Sequence, residues 1–88
     1  PAPAAPVPQR VTRAQGKAAL YKAGLLAQVE AFVDAMPEGE DKAFAQFALN
    51  DCNNWERESP FLNAAAKQLG LTQERLDELF RAAAGIAL

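Results

Sequence analysis

Few residues of this sequence could carry out a reaction, and most of those few have an ordinary structural explanation. Cys52 is the single cysteine, and the chain has no histidine that could take the proton of its thiol. General acid–base catalysis usually relies on histidine or on paired carboxylates in a cleft, whereas Glu38, Glu40 and Asp41 fall in a turn-rich acidic segment. Ser59 precedes a proline and is explained as a helix cap. We therefore expect no catalytic residue, no cofactor and no metal site, and we predict that the protein is not an enzyme.

The composition predicts one small helical domain. A chain of 88 residues buries only ~60–65% of the surface that its unfolded form exposes, so its core is modest. Half of the residues are hydrophobic and many of these are alanine, whereas β-branched residues are scarce, which favours helix over sheet. The net charge of −2 gives no general attraction to nucleic acid or to an anionic membrane. No apolar run approaches the ~20 residues that span a bilayer, so we expect no membrane partner.

Two helices are predicted in the first half of the chain. Thr12 can cap a helix, and Gln15 three residues later completes a capping-box pattern. This helix should end at Gly24, a residue suited to the left-handed conformation after a helix. Gly16 weakens the helix by about 1 kcal/mol relative to alanine. The alternative explanation of a glycine at this position is that it allows another helix to approach closely. Apolar residues at helical spacing predict a second helix over residues 26–36.

Three more helices are predicted in the second half. The third covers roughly residues 41–57, and its apolar stripe consists of Phe44, Phe47, Ala48, Cys52 and Trp55. Ser59 should cap the fourth helix, because Pro60 disfavours helical geometry at the residue before it. This helix should end at Gly70. Thr72 should cap the fifth, whose apolar face consists of Leu76, Leu79, Phe80 and Ala83.

These elements predict an all-α fold, a compact bundle of four to five short helices with no strand. The segment PAPAAPVPQR, residues 1–10, holds four of the six prolines and should be extended, near polyproline II. We therefore divide the chain into a proline-rich extended arm over residues 1–10 and a single helical domain over residues 11–88.

The candidate contact residues lie mainly around the only tryptophan. Aromatic residues are enriched at the energetic centres of protein interfaces, which makes Tyr21, Trp55 and Phe61 candidates. For Trp55 the better explanation is a core anchor between the third and fourth helices. The charged residues 56–58 resemble a surface cluster beside Phe61. The full set of candidate partner-contact residues is Tyr21, Asn53, Asn54, Trp55, Glu56, Arg57, Glu58 and Phe61.

Residues 59–81 also have the small-residue and Leu-Gly-Leu-Thr rhythm of a helix-turn-helix. A recognition helix needs side chains that meet phosphates and base edges, yet residues 72–81 carry three acids and two arginines, a net charge of −1. Residues 10–22 are more favourable, with four cations and no acid, but four charges on one helix are common on ordinary surfaces. We do not expect nucleic acid to be a partner, and a small DNA-binding regulator remains the second alternative function.

Three pieces of the sequence, taken in order, carry a family resemblance. They are VTRAQGKAALYKAGLL near the start, NNWERESPFL in the middle and LGLTQERLDELFRAAAGI at the end, and they cover nearly all of residues 11–87. Together they resemble a group of small proteins encoded among the tail genes of tailed bacteriophages and prophages, beside tail-fibre and host-specificity genes. The group has no defined active-site residues, so the resemblance transfers none.

This resemblance implies a non-enzymatic structural or adaptor protein of a phage tail or baseplate, near the tail fibre or tail tip, that acts by packing against other proteins. Its partners would be other tail or fibre proteins, or copies of itself. Its location would be the virion, after synthesis in the host cytoplasm. The first alternative is an assembly chaperone of the tail or fibre, which would be lost from the finished particle.

Overall fold

The computed structural model describes residues 6–88, and within them the fold has five helices and one small two-stranded sheet. In chain order the elements are β1 (Arg10–Thr12), α1 (Arg13–Lys22), α2 (Leu26–Asp34), α3 (Glu40–Asn50), β2 (Asn54–Glu56), α4 (Pro60–Gln68) and α5 (Gln73–Ala84). None of these helices is long and apolar enough to cross a bilayer.

Side-chain caps begin three of the helices, as the sequence predicts. The Thr12 hydroxyl accepts the N–H of Gln15, and the Gln15 side chain accepts the N–H of Thr12, which forms the predicted capping box. The Ser59 hydroxyl accepts the N–H of Leu62, and the following proline occupies the first turn of α4. The Thr72 hydroxyl likewise accepts the backbone N–H three residues further on. These starts are encoded locally and were therefore predictable.

Glycine ends α1 and α4. Gly24 and Gly70 each adopt a φ of +75°, the left-handed region that other residues rarely adopt. In both turns the glycine N–H bonds to the carbonyl three residues back, and the next N–H bonds to the carbonyl five residues back. This double closure satisfies the last carbonyls of each helix and confirms the predicted helix ends.

The sheet corrects the prediction of an all-α fold. Strands β1 and β2 pair in antiparallel fashion with Val11 opposite Trp55, so that a stretch near the start of the sequence lies beside one from its middle. The predicted third helix is also wrong in its second half: α3 ends at Asn50 rather than near residue 57. Residues 50–54 include three asparagines and an aspartate, which favour turns over helix. The chain turns there and enters β2.

The predicted boundary between arm and domain also shifts. Residues 1–5 of the predicted proline-rich arm lie outside the described residues. Val7 packs against the core, the carbonyl of Gln9 accepts the N–H of Arg57 at 2.9 Å, and Arg10 belongs to β1. The second half of the predicted arm is therefore part of the folded domain.

Helices and sheet share one apolar core, which is built around Trp55. Its indole N–H donates to the Ala48 carbonyl at 2.7 Å, and its ring lies directly against Gly16. The glycine allows a close approach, as its position suggested, but the neighbour is a strand residue rather than another helix. The buried side chains of this core are Val11, Ala19, Leu20, Val29, Val33, Ala45, Leu49, Trp55, Leu62, Ala66, Leu76, Leu79, Phe80 and Ala83.

Candidate protein-docking site

The structure places the eight predicted contact residues in three environments: buried, half-buried and exposed. Trp55 and Arg57 are buried, with 4% and 6% of their surface exposed, so neither belongs to an exposed contact surface of this chain. Phe61 is half-buried, and Tyr21 is 76% exposed. The remaining predicted residues are exposed; they are Asn53, Asn54, Glu56 and Glu58.

Arg57 corrects the prediction of a surface charge cluster over residues 56–58. Its Nε donates to Asp77 Oδ1 at 2.8 Å, and its Nη2 donates to Gln73 Oε1 at 2.9 Å. The guanidinium thus links the turn after β2 to α5, and a partner twenty residues away cannot be recognised from neighbouring residues. Glu56 instead pairs with Arg10 across the sheet at 2.7 Å, and both of these side chains are largely exposed.

The site that the fold does assemble is an apolar groove between α2, α3 and α4, called the aromatic groove below. It has a volume of about 480 Å³ and combines large apolar side chains with alanines. Its lining residues are Phe32, Met36, Asp41, Phe44, Ala45, Ala48, Ser59, Pro60, Phe61 and Ala64. Of these ten, only Phe61 is among the predicted contact residues.

Helix α3 contributes Phe44, the most exposed aromatic residue of the groove lining, and also carries Phe47, which is exposed but outside the lining. Phe44 is 58% exposed and Phe47 is 54% exposed, and their ring centroids lie 6.3 Å apart. The helical spacing predicted that both phenylalanines face the core. This prediction is wrong, because α3 turns Ala45 and Leu49 to the core instead. Ala45 and Leu49 are four residues apart, about one helical turn, and this spacing is a signal that could have identified the inner face of α3.

The groove exposes apolar surface that another molecule can cover. Burying a phenylalanine side chain completely contributes about 1.5–3 kcal/mol relative to leaving it in water, and more than half of Phe44 is in water here. Concave apolar surfaces of this kind are typical of protein contact sites or ligand sites. Covering the exposed apolar side chains of the groove would therefore be favourable, and their burial would supply the free energy of binding.

The charge at one end of the groove is negative. Asp41 lines the groove from the first turn of α3 and makes no ion pair with any residue in the described part of the chain. The neighbouring cation, Lys42, has other partners: its Nζ donates to a Glu38 carboxylate oxygen at 3.0 Å and to the Asp34 carbonyl at 3.2 Å. Among the described residues that line the groove, none is lysine or arginine.

The polar groups of the groove have positions that explain them without reaction chemistry. The Ser59 hydroxyl accepts the N–H of Leu62 as the cap of α4, and Asp41 is the single carboxylate of the lining. No protein-family model, no curated protein and no solved structure matches this chain.

Proposed function

We propose that this protein is a non-enzymatic docking module of a bacteriophage tail, which holds another tail or fibre protein through the aromatic groove. The observation that carries the proposal is Phe44, a large aromatic residue more than half exposed at the edge of a concave apolar site. Such residues commonly form the energetic centres of protein interfaces. The phage part of the proposal comes from the resemblance of residues 11–87 to small tail-region proteins.

The size of the groove fits a contact that is repeated in many copies. A stable interface of standard size buries roughly 800 Å² on each partner, and a groove of about 480 Å³ accommodates only a few side chains of that total. A single contact at the groove would be of modest strength. Phage tails are symmetric assemblies, and several modest contacts made together bind far more tightly than one alone.

The first experiment separates a structural component from an assembly chaperone. Mass spectrometry of purified particles is expected to detect this chain at a fixed ratio to known tail proteins. Detection in infected cells together with absence from particles would identify the chaperone alternative, because a chaperone leaves before assembly ends. Absence from both samples during productive infection would contradict any role in the tail.

The second experiment tests the groove with a matched pair of variants. A phage lacking this gene is complemented with the parent chain, with Phe44→Ser or with Tyr21→Ser. Both residues are exposed aromatics, so both variants should fold, but only Phe44 lines the groove. We expect Phe44→Ser to be depleted from particles about tenfold and Tyr21→Ser to be incorporated normally. Equal incorporation of the two variants would remove the groove from the proposal.

A further inference from the structure

We infer that the aromatic groove receives an amphipathic α-helix of a different protein, which places a lysine or arginine against Asp41. The inference rests on the proposed docking function and specifies the chemistry of the partner. Two independent observations carry it: the arrangement of the helices that form the groove, and the charge at its end.

The main row of side chains in the groove stands on α3, and α2 and α4 flank it. Asp41, Phe44, Ala45 and Ala48 stand at positions i, i+3, i+4 and i+7 of α3, which places them on one face. Helix α2 adds Phe32, and Met36 follows just beyond the end of that helix. Helix α4 adds Pro60, Phe61 and Ala64 from its first turns. Rows of side chains with the spacing found on α3 are the ridges between which another helix packs. The surface therefore has the form of a helix-binding site.

An extended peptide fits the same groove poorly. Its backbone N–H and carbonyl groups would need partners, since unpaired polar groups are costly to bury. The helices that form the groove use their own backbone groups internally. None of the described residues that line the groove is tyrosine or tryptophan, whose polar atoms could bond to an extended backbone. An α-helix satisfies its own backbone and needs only apolar contact from the groove.

The charge at the end of the groove specifies a cation on that helix. Asp41 has no ionic partner among the described residues, and Lys42 is held by Glu38 and by a backbone carbonyl. Glu40 adds a second exposed carboxylate in the same turn of α3. A lysine or arginine beside the apolar stripe of the partner would complement this charge and orient the helix in the groove.

The same charge disfavours a second copy of this chain as the occupant. A two-fold symmetric dimer through the groove would bring the same patch of both copies together. Each copy would then place its Asp41 carboxylate in the interface, and the described lining of the other copy's groove holds no lysine or arginine to pair with it. A charge buried at an interface without a partner opposes association. The partner helix therefore belongs to another protein.

The test uses a displayed library of random 16-residue peptides, selected on the immobilised full chain. We expect the selected peptides to share an apolar stripe at positions i, i+3, i+4 and i+7 and a neighbouring lysine or arginine. Their affinities are then measured by calorimetry against matched variants. Phe44→Ser should weaken binding about tenfold, and Asp41→Asn about threefold. Glu40→Gln removes a carboxylate from the same helix turn outside the groove lining and should leave affinity within about twofold.

Charge reversal gives the sharpest form of the test. Selection against Asp41→Lys should enrich aspartate or glutamate where lysine or arginine stood before. Peptides that depend on Phe44 but carry no basic preference, or that have no helical spacing, would overturn this inference and leave the docking function standing. Peptides that bind Phe44→Ser as well as the parent would refute docking at the groove itself. Light scattering that shows a dimer dissociated by Phe44→Ser would overturn the inference by identifying a second copy as the occupant.

Discussion

Gly16→Ala should destabilise this protein, although alanine is the better helix former. Gly16 lies inside α1 and is buried against the ring of Trp55. A Cβ added there would lie 2.2 Å from Trp55 Cε3 and 2.5 Å from Cζ3. Carbon atoms in good contact are about 3.5–4.0 Å apart, so the indole ring would have to retreat by more than about 1 Å.

Three contributions, one stabilising and two destabilising, determine the expected change in the free energy of unfolding. Replacing glycine by alanine inside a helix stabilises it by about 1 kcal/mol. Overpacking a core costs about 1–3 kcal/mol. Movement of the indole also weakens its 2.7 Å hydrogen bond to the Ala48 carbonyl, which is worth about 1 kcal/mol. The net expectation is a loss of about 2 kcal/mol in the free energy of unfolding, or about 8–16 °C in melting temperature for a domain of this size.

Urea and thermal unfolding followed by circular dichroism would measure this loss. Gly85→Ala is the matched control, because a Cβ on Gly85 would lie 3.6 Å from the nearest atom, an ordinary contact, and its stability should stay within about 0.5 kcal/mol of the parent. In a Trp55→Phe background, which removes much of the ring, Gly16→Ala should cost measurably less. A Gly16→Ala protein as stable as the parent, or more stable, would refute the reasoning.

Two further substitutions test one link between distant residues and one local helix cap. Asp77→Ala leaves the buried guanidinium of Arg57 without its carboxylate, and urea unfolding should show a loss of about 2–3 kcal/mol, since Gln73 retains part of the contact. Thr12→Val removes the hydroxyl that caps α1 and leaves Gln15 without half of its capping box. Thermal unfolding should show a loss of about 1 kcal/mol.

An exposed ion pair supplies the control for Asp77→Ala. Arg10→Ala breaks the exposed ion pair with Glu56, and such pairs contribute about 0–1 kcal/mol. If Asp77→Ala costs no more than Arg10→Ala, the contact between Arg57 and Asp77 is not the structural link described above. If Thr12→Val is as stable as the parent, the cap of α1 is not important for stability.

The features that the sequence predicted correctly depend on residues close together in the chain. Thr12, Ser59 and Thr72 cap helices through atoms only three residues away, and Gly24 and Gly70 end helices through bonds of three to five residues. Interactions of this range leave a pattern that any reader of the sequence can recognise. The number of helices was predictable for the same reason.

The features that the prediction missed depend on distant residues. Trp55 lies at helical spacing from Cys52, so periodicity alone extended α3 through it, whereas pairing with Val11 places it in a strand. Arg57 is buried because Asp77 meets it across the fold. The aromatic groove was missed because Phe44 was assigned to the core, and its exposure depends on which face of α3 the rest of the domain covers.

The pairing of β1 with β2 also has a spectroscopic consequence. Trp55 is the only tryptophan, and it is buried where the strand near the start of the chain joins a strand 46 residues away. Its emission therefore reports closure of that long loop, whereas the helices are held by bonds between residues about four apart. Closing a long loop costs more chain entropy than forming a helix, because the bonds of a helix join residues that are close in the chain. The native indole is thus placed to report this long-range contact separately from the formation of helix.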